Sequence, residues 1–156
     1  MSIVYEKALE FKQKYPGTIA WRLKKHCDVV EGYINPGEEV LYVFCGQKNE
    51  DWYDLFTTCV VVLTNKRLLI GQKRVVFGSI YTQITPDLYN DMRIYKGLLF
   101  GKITIDTVKE VVTISNLSKS SLDDIETEIS EFMMKEKQKY KERNIWKNWV
   151  LSYFFY

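Results

Sequence analysis

The sequence predicts an α+β fold: a seven-stranded antiparallel sandwich or partly open barrel, capped by a C-terminal helix and preceded by a pair of N-terminal helices. Helical spacing of apolar residues at both ends of the chain and strand-like alternation between them support this fold class. Turn residues divide the middle into short segments at meander spacing. We therefore divide the chain into an N-terminal helical extension (1–36), a β-rich domain (37–142) and an amphipathic aromatic C-terminal tail (143–156).

The first 36 residues carry two short apolar stripes at helical spacing. The first stripe consists of Val4, Ala8, Phe11 and Tyr15, and Pro16-Gly17 ends it. The second stripe consists of Ile19, Leu23, Cys27 and Val30, with Thr18 as the predicted N-cap and Gly32 as the end signal. Because neither helix is long enough to be stable alone, both are expected to dock on the rest of the protein.

Seven strands are predicted between the helical segments. They cover residues 40–45, 56–63, 68–70, 75–84, 92–95, 102–106 and 111–115. The glycines at 97 and 101 indicate a bend or bulge rather than a phosphate-binding loop, since no helix follows them.

A helix capped by Ser120 or Ser121 is predicted to follow the last strand. Its apolar face consists of Leu122, Ile125, Ile129, Phe132 and Met133. Six cations and two carboxylates follow between residues 135 and 147, and an acidic start with a basic end suits the helix dipole.

The C-terminal tail has an aromatic helical face that the dipole does not explain. Trp146, Trp149, Val150 and Tyr153 follow i, i+3, i+4, i+7 spacing. Such a face suits packing on the N-terminal helices, packing between copies, or an anchor lying in a membrane interface. The sequence leaves these three arrangements open.

Four segments resemble the bacterial pleckstrin-homology-like (PH-like) domains. They are EEVLY at 38–42, LTNKRLLI at 63–70, KGLLFGKITI at 96–105 and ISNLSK at 114–119, which leads into Leu122 and Ile125. The chain resembles the YokE-like group of Gram-positive bacteria and their prophages, over roughly residues 36–139. The resemblance implies a PH-like fold and a binding module, since several members of the family self-associate.

Eukaryotic relatives of that family include phosphoinositide binders, which place several cations around the first strand pair. Here the corresponding loop, residues 47–54, contains one lysine and three carboxylates. Carboxylates repel phosphates, so phosphoinositide binding at that position is not expected.

Composition argues against catalysis, metal binding and nucleic-acid binding. His26 is the single histidine, and adjacent helical residues diverge too far for a dyad with Cys27, so His26 is expected on a helix surface. No cysteine pair has zinc-ligand spacing. The net charge of +2 is lower than nucleic-acid modules usually carry. We therefore expect no enzyme activity, cofactor, metal, small-molecule substrate or nucleic acid.

Two functional hypotheses follow. The first is an interaction module that self-associates or binds a protein partner through aromatic anchors. Its candidate interface residues are Phe11, Tyr15, Trp21, Ile145, Trp146, Trp149, Val150, Tyr153 and Phe154. The second is a peripheral membrane protein whose tail binds anionic lipid. Its candidate contacts are Lys66, Arg67, Lys139, Lys141, Arg143 and Lys147.

The expected location is the cytoplasm, because the N-terminal sequence lacks a basic leader with an apolar core. Under the membrane hypothesis, the protein would lie at the inner membrane face.

Overall fold

The computed structural model describes residues 1–48 and 57–155. These residues form the strands β1 (Val40–Gln47), β2 (Thr58–Thr64), β3 (Leu68–Lys73), β4 (Ser79–Ile84), β5 (Tyr89–Lys96), β6 (Gly101–Thr107) and β7 (Val111–Leu117). The helices are α1 (Ile3–Lys14), α2 (Leu23–Glu31) and α3 (Leu122–Phe154). The strands form one antiparallel sheet in the order β4-β3-β2-β1-β7-β6-β5, which confirms the predicted fold class and shows an open sheet.

The sheet consists of two halves, β1–β4 and β5–β7, that meet at one position. β1 and β7 pair only through Gln47 and Ser115 in the described residues. Nearby, a Cβ added at Gly46 would lie 2.7 Å from the Ile114 side chain. The two halves therefore approach too closely here for any side chain at position 46.

The N-terminal helices cover one half of the sheet. α1 packs along β1, and α2 packs on β3 and β2. β2 is buried at every residue, as expected for a strand covered on both faces. Docking of both helices is thus what makes their short apolar stripes stable.

The predicted start of the second helix at Thr18 is wrong, because α2 begins at Leu23. The Thr18 hydroxyl accepts a hydrogen bond from the Ser118 N–H at 3.1 Å instead of capping a helix. The Ile19 N–H donates to the Asn116 carbonyl, which fixes this segment against the end of β7. The helix starts only after Arg22, which has a left-handed φ of 53°.

The start of the fourth strand was also predicted wrongly. Residues 75–77 belong to the tip of the β3–β4 hairpin, and β4 begins at Ser79. The Arg74 N–H donates to the Gly78 carbonyl at 3.1 Å, and Gly78 has a φ of +78°, which closes the tip. The predicted strand at 56–63 begins partly outside the described residues, and β2 is described from Thr58.

α3 runs without a break from Leu122 to Phe154 and lies antiparallel to β5. Near its start, Asp123 pairs with Lys96 at the end of β5 at 3.1 Å. Two turns later, Ser130 lies 3.5 Å from the Tyr89 hydroxyl at the start of β5. The last fully buried residue of α3 is Met133, so the helix continues beyond the sheet.

His26 is buried, which corrects the expectation of a surface histidine. Its Nδ1 accepts the Lys73 N–H at 2.8 Å, and a further hydrogen bond joins the ring to the Trp21 backbone. Burial and the nearby Arg22 charge lower the pKa of His26 to about 4. The neutral imidazole therefore ties α2 to the end of β3.

We expect the free energy of unfolding to fall by about 2 kcal/mol between pH 7 and pH 5 because of His26. The folded pKa of about 4 lies below the ordinary 6.5, so the unfolded chain binds the proton more readily in this window. The stabilisation is complete above pH 6.5 and disappears as the pH falls toward 4. Urea denaturation at several pH values measures it. The His26→Gln variant, which still accepts from Lys73, should lack this slope; an equal slope in both proteins would refute the assignment.

Candidate functional site: the distal segment of α3

The end of α3 projects from the domain as a solvent-exposed helix. Every side chain from residue 138 to residue 155 is exposed, and we call this stretch the distal segment. At 1.5 Å per residue its helical part is about 25 Å long. Its side chains gain no packing from the domain, and most helical stability in proteins comes from such packing, so a partner surface would stabilise the segment.

The distal segment carries the aromatic face expected from the sequence. Trp146 is 70% exposed, Trp149 is 60% exposed, and Val150 is also exposed. The Trp149 and Tyr153 rings contact each other at a centroid distance of 5.1 Å. These rings offer amphipathic contact area without contacting the domain core.

Apolar residues predominate in the last three turns. Eight of the eleven residues 145–155 are apolar. At 100° per residue, Ile145 and Phe154 flank the Trp146 face and widen the apolar arc to about half of the circumference, and Leu151 lies beyond Lys147. This arc is wider than the stripe of about 100° by which a surface helix packs on one side.

The cations of the distal segment form a collar next to the aromatic end. Between residues 138 and 155 there are four cations and one carboxylate. Lys139 pairs with Glu136 at 3.0 Å, and Arg143 stacks over the Tyr140 ring at 4.9 Å. Lys141 and Lys147 form no ion pair within the described ranges, so the collar carries net positive charge.

The predicted N-terminal interface residues do not join this surface. Phe11 and Tyr15 are buried, with their ring centroids 5.0 Å apart and the Phe11 ring 6.1 Å from Phe44. The Tyr15 hydroxyl donates to Asp124 on the first turn of α3. Both are core residues, because their stripe docks on β1 instead of facing the tail. Trp21 is exposed in the segment before α2, and its backbone N–H donates to the Thr58 hydroxyl.

The two cations predicted as lipid contacts on the β2–β3 turn, Lys66 and Arg67, lie in different environments. Lys66 is exposed. Arg67 is not a free cation, because its side chain forms a 3.0 Å ion pair with Glu38, whose side chain is only 2% exposed. Arg67 also donates to the Tyr81 hydroxyl and the Tyr33 carbonyl. Burial would raise the pKa of Glu38, but the Arg67 and Thr64 hydrogen bonds prevail and hold it at about 2.

The three cysteines of the described residues are buried. Burial raises the pKa values of the Cys27, Cys45 and Cys59 thiols to about 12, so these thiols stay protonated. Within residues 1–48 and 57–155, no cluster of three metal-ligating side chains is present. No helix in the same ranges is both long and apolar enough to cross a membrane.

Comparison with known proteins identifies the family. A family model described as "Bacterial PH domain" matches residues 34–131, which is more than half of the chain. This chain belongs to the bacterial PH domain family. The matched range of this bacterial PH domain extends from the turn before β1 into α3, so α1, α2 and the distal segment lie outside it.

Other comparisons add one structural likeness. No curated protein matches this bacterial PH domain. A crystal structure of a pleckstrin homology domain from Shewanella amazonensis SB2B is similar, with 14% sequence identity and a TM-score of 0.42. The likeness covers 72% of this chain and 86% of that chain. Domains of the PH family are generally binding modules.

Proposed function

We propose that this protein is a non-enzymatic binding module whose distal segment docks on a protein surface, either a second copy of the chain or a different protein. The observation that carries the proposal is the aromatic face of Trp146, Trp149 and Tyr153, which extends from a folded domain into solvent. Trp and Tyr are the residues most enriched at the centres of protein interfaces. The segment is an addition to the PH domain, because burial in α3 ends at Met133.

We expect the double variant Trp146→Glu/Trp149→Glu to weaken self-association at least about tenfold, because two carboxylates would enter an apolar contact. The measurement is the solution mass of the full chain by light scattering over a range of concentrations. The matched control is Leu98→Glu/Leu99→Glu on the β5–β6 turn, where both leucines are also highly exposed. The control should associate as the native chain does.

If the native chain is monomeric at every concentration, docking between copies is excluded and the remaining form of the proposal is docking on a different protein. In that case, a photoreactive residue placed at position 150 of the distal segment should form crosslinks to the partner protein. Crosslinks at position 98 but not at position 150 would contradict it.

A membrane surface is the second candidate partner, and the cationic collar next to the aromatic end favours it. Lys141, Arg143 and Lys147 would meet anionic headgroups while the last three turns enter the interface. Co-sedimentation with anionic and neutral vesicles at low and high salt tests it. The full chain should pellet with anionic vesicles at low salt only, and a chain ending at Asn144 should stay in solution. Equal behaviour of both chains would reject this candidate.

A further inference from the structure

The tip of the β3–β4 hairpin is an exposed apolar surface. Val75, Val76 and Phe77, which we call the apolar tip, are 61%, 76% and 84% exposed. The base of the hairpin is fixed to α2, because the Lys73 N–H donates to His26 at 2.8 Å. The apolar tip therefore stands on an ordered base, which lowers the entropic cost of an interaction.

Four cations lie around the base of the apolar tip. Lys73 and Arg74 immediately precede it. Lys25 lines the same shallow cavity as Lys73, and Arg22 is close enough to His26 to lower the pKa of the imidazole. All four are exposed, and none of them forms an ion pair in the described residues. We call these four residues the basal cations.

An exposed tryptophan lies next to the basal cations. Trp21 is 57% exposed, and its backbone N–H donates to the Thr58 hydroxyl at the start of β2. Continuing the register of β2 with β3 places Thr58 beside Lys73. Tryptophan is enriched where proteins meet the membrane–water interface.

This combination fits a lipid bilayer better than a protein surface. Three consecutive exposed apolar residues leave the tip without a polar side, so a partner that touches one side would leave apolar area in water. A bilayer interface surrounds an inserted tip, and its anionic headgroups then lie at the level of the cations.

The β5–β6 turn shows that exposed apolar residues alone do not make this arrangement. Leu98 and Leu99 are 90% and 76% exposed there. Of the two lysines that flank them, Lys96 is paired with Asp123 at 3.1 Å, and only Lys102 remains. That turn therefore has a much weaker attraction to anionic headgroups than the hairpin tip.

We propose that the apolar tip inserts into the interface of an anionic phospholipid bilayer, with the basal cations at the headgroups. The contact is separate from the distal segment, which stays available for a protein partner. The surface combines the hairpin of the PH domain with α2, which precedes the range that the family model matches.

Opposing charge at the same end of the sheet limits the electrostatic part of this contact. β1 ends and β2 begins there, and the residues between them, 49–56, contain three carboxylates. Because carboxylates repel anionic lipid, insertion of the apolar tip is expected to supply most of the binding. High salt should therefore weaken it only in part.

Co-sedimentation of the full chain with phosphatidylglycerol–phosphatidylcholine vesicles tests the contact. Val76→Ser/Phe77→Ser is expected to raise the vesicle dissociation constant at least about tenfold, because the inserted apolar area is lost. The matched control Leu98→Ser/Leu99→Ser should bind as the native chain does. A native chain that stays in solution, or a tip variant that pellets as the native chain does, would overturn the proposal.

The basal cations are tested by Lys73→Gln/Arg74→Gln, which keeps the backbone bond to His26. We expect binding to the anionic vesicles to weaken about tenfold and binding to pure phosphatidylcholine vesicles to stay unchanged. An equal loss on both kinds of vesicle would contradict the assignment of these cations to the headgroups.

A fluorescent label reports insertion of the tip directly. The three native cysteines are buried, so a cysteine introduced at an exposed position can be labelled alone. A polarity-sensitive fluorophore on Val76→Cys should brighten when the anionic vesicles are added, and the same fluorophore on Leu98→Cys should not. Equal responses at the two positions would contradict insertion through the tip.

A chain ending at Asn144 separates this contact from a membrane contact through the distal segment. If the apolar tip carries the binding, the shortened chain should pellet as the full chain does and keep the fluorescence response at position 76. Loss of both would overturn the tip contact in favour of the distal segment. Self-association of the distal segment is measured without vesicles, so its outcome is independent of the tip.

Discussion

Replacing Arg67 by methionine is expected to lower the free energy of unfolding by about 3–5 kcal/mol. The substitution leaves the Glu38 carboxylate buried without its cation, and only the Thr64 hydroxyl and the Asn35 N–H still donate to it. It also removes the guanidinium that links Tyr81 to the Tyr33 carbonyl. In a chain of this size the melting temperature should fall by roughly 10 °C. Thermal and urea denaturation measure both quantities.

A second substitution tests whether the uncompensated Glu38 carboxylate causes this loss of stability. Adding Glu38→Gln to Arg67→Met removes the buried charge and should return part of the lost stability, whereas Lys66→Met on the same turn should change it by less than about 0.5 kcal/mol. If the double variant were less stable than Arg67→Met, the buried charge would not be the cause.

The second large effect is expected at Gly71, where α2 contacts β3. A Cβ added there would lie 2.3 Å from the Val30 Cγ2 atom and 3.3 Å from the Val30 backbone nitrogen. Because Val30 is fully buried, Gly71→Val must push α2 away from the sheet, at a cost of about 3 kcal/mol. Denaturation midpoints give the loss.

The control for Gly71 is Gly17→Ala, since the nearest atoms to an added Cβ there are at an ordinary 3.8 Å. A Val30→Ala substitution makes room beside position 71. It should therefore cost less in the Gly71→Val background than in the native chain. Additive losses would show that α2 does not need this close approach.

The features predicted well from the sequence are those set by local patterns. Alternation identified the strand from 102 to 106 because the isoleucines at 103 and 105 are buried while the residues between them are partly exposed. The continuous apolar run of β2 was also recognisable, since a strand covered on both faces lacks alternation. The spacing of Trp146 and Trp149 placed them correctly on one helical face.

The features that were missed depend on residues far apart in the chain. Thr18 is a good N-cap by type, but its hydroxyl is taken by Ser118, one hundred residues later. Phe11 and Tyr15 look the same from sequence whether their stripe faces β1 or the tail. Arg67 is predicted as a contact for anionic lipid, because nothing in the local sequence shows that Glu38 lies beside it. The order of the strands, with β4 and β5 at the two edges of the sheet, also depends on distant pairings that a single sequence does not provide.

The contacts that join the N-terminal segment to Ser118 and to the first turn of α3 also affect the order in which the chain can fold during synthesis. The Tyr15 hydroxyl binds Asp124, and the Thr18 hydroxyl binds Ser118, so each contact waits for about a hundred further residues. At 5–20 residues per second a ribosome needs roughly 5–20 s to supply them. Throughout that time the apolar stripe of α1 lacks part of its final cover. A chaperone that binds apolar segments would therefore find the stripe of α1 partly uncovered during synthesis.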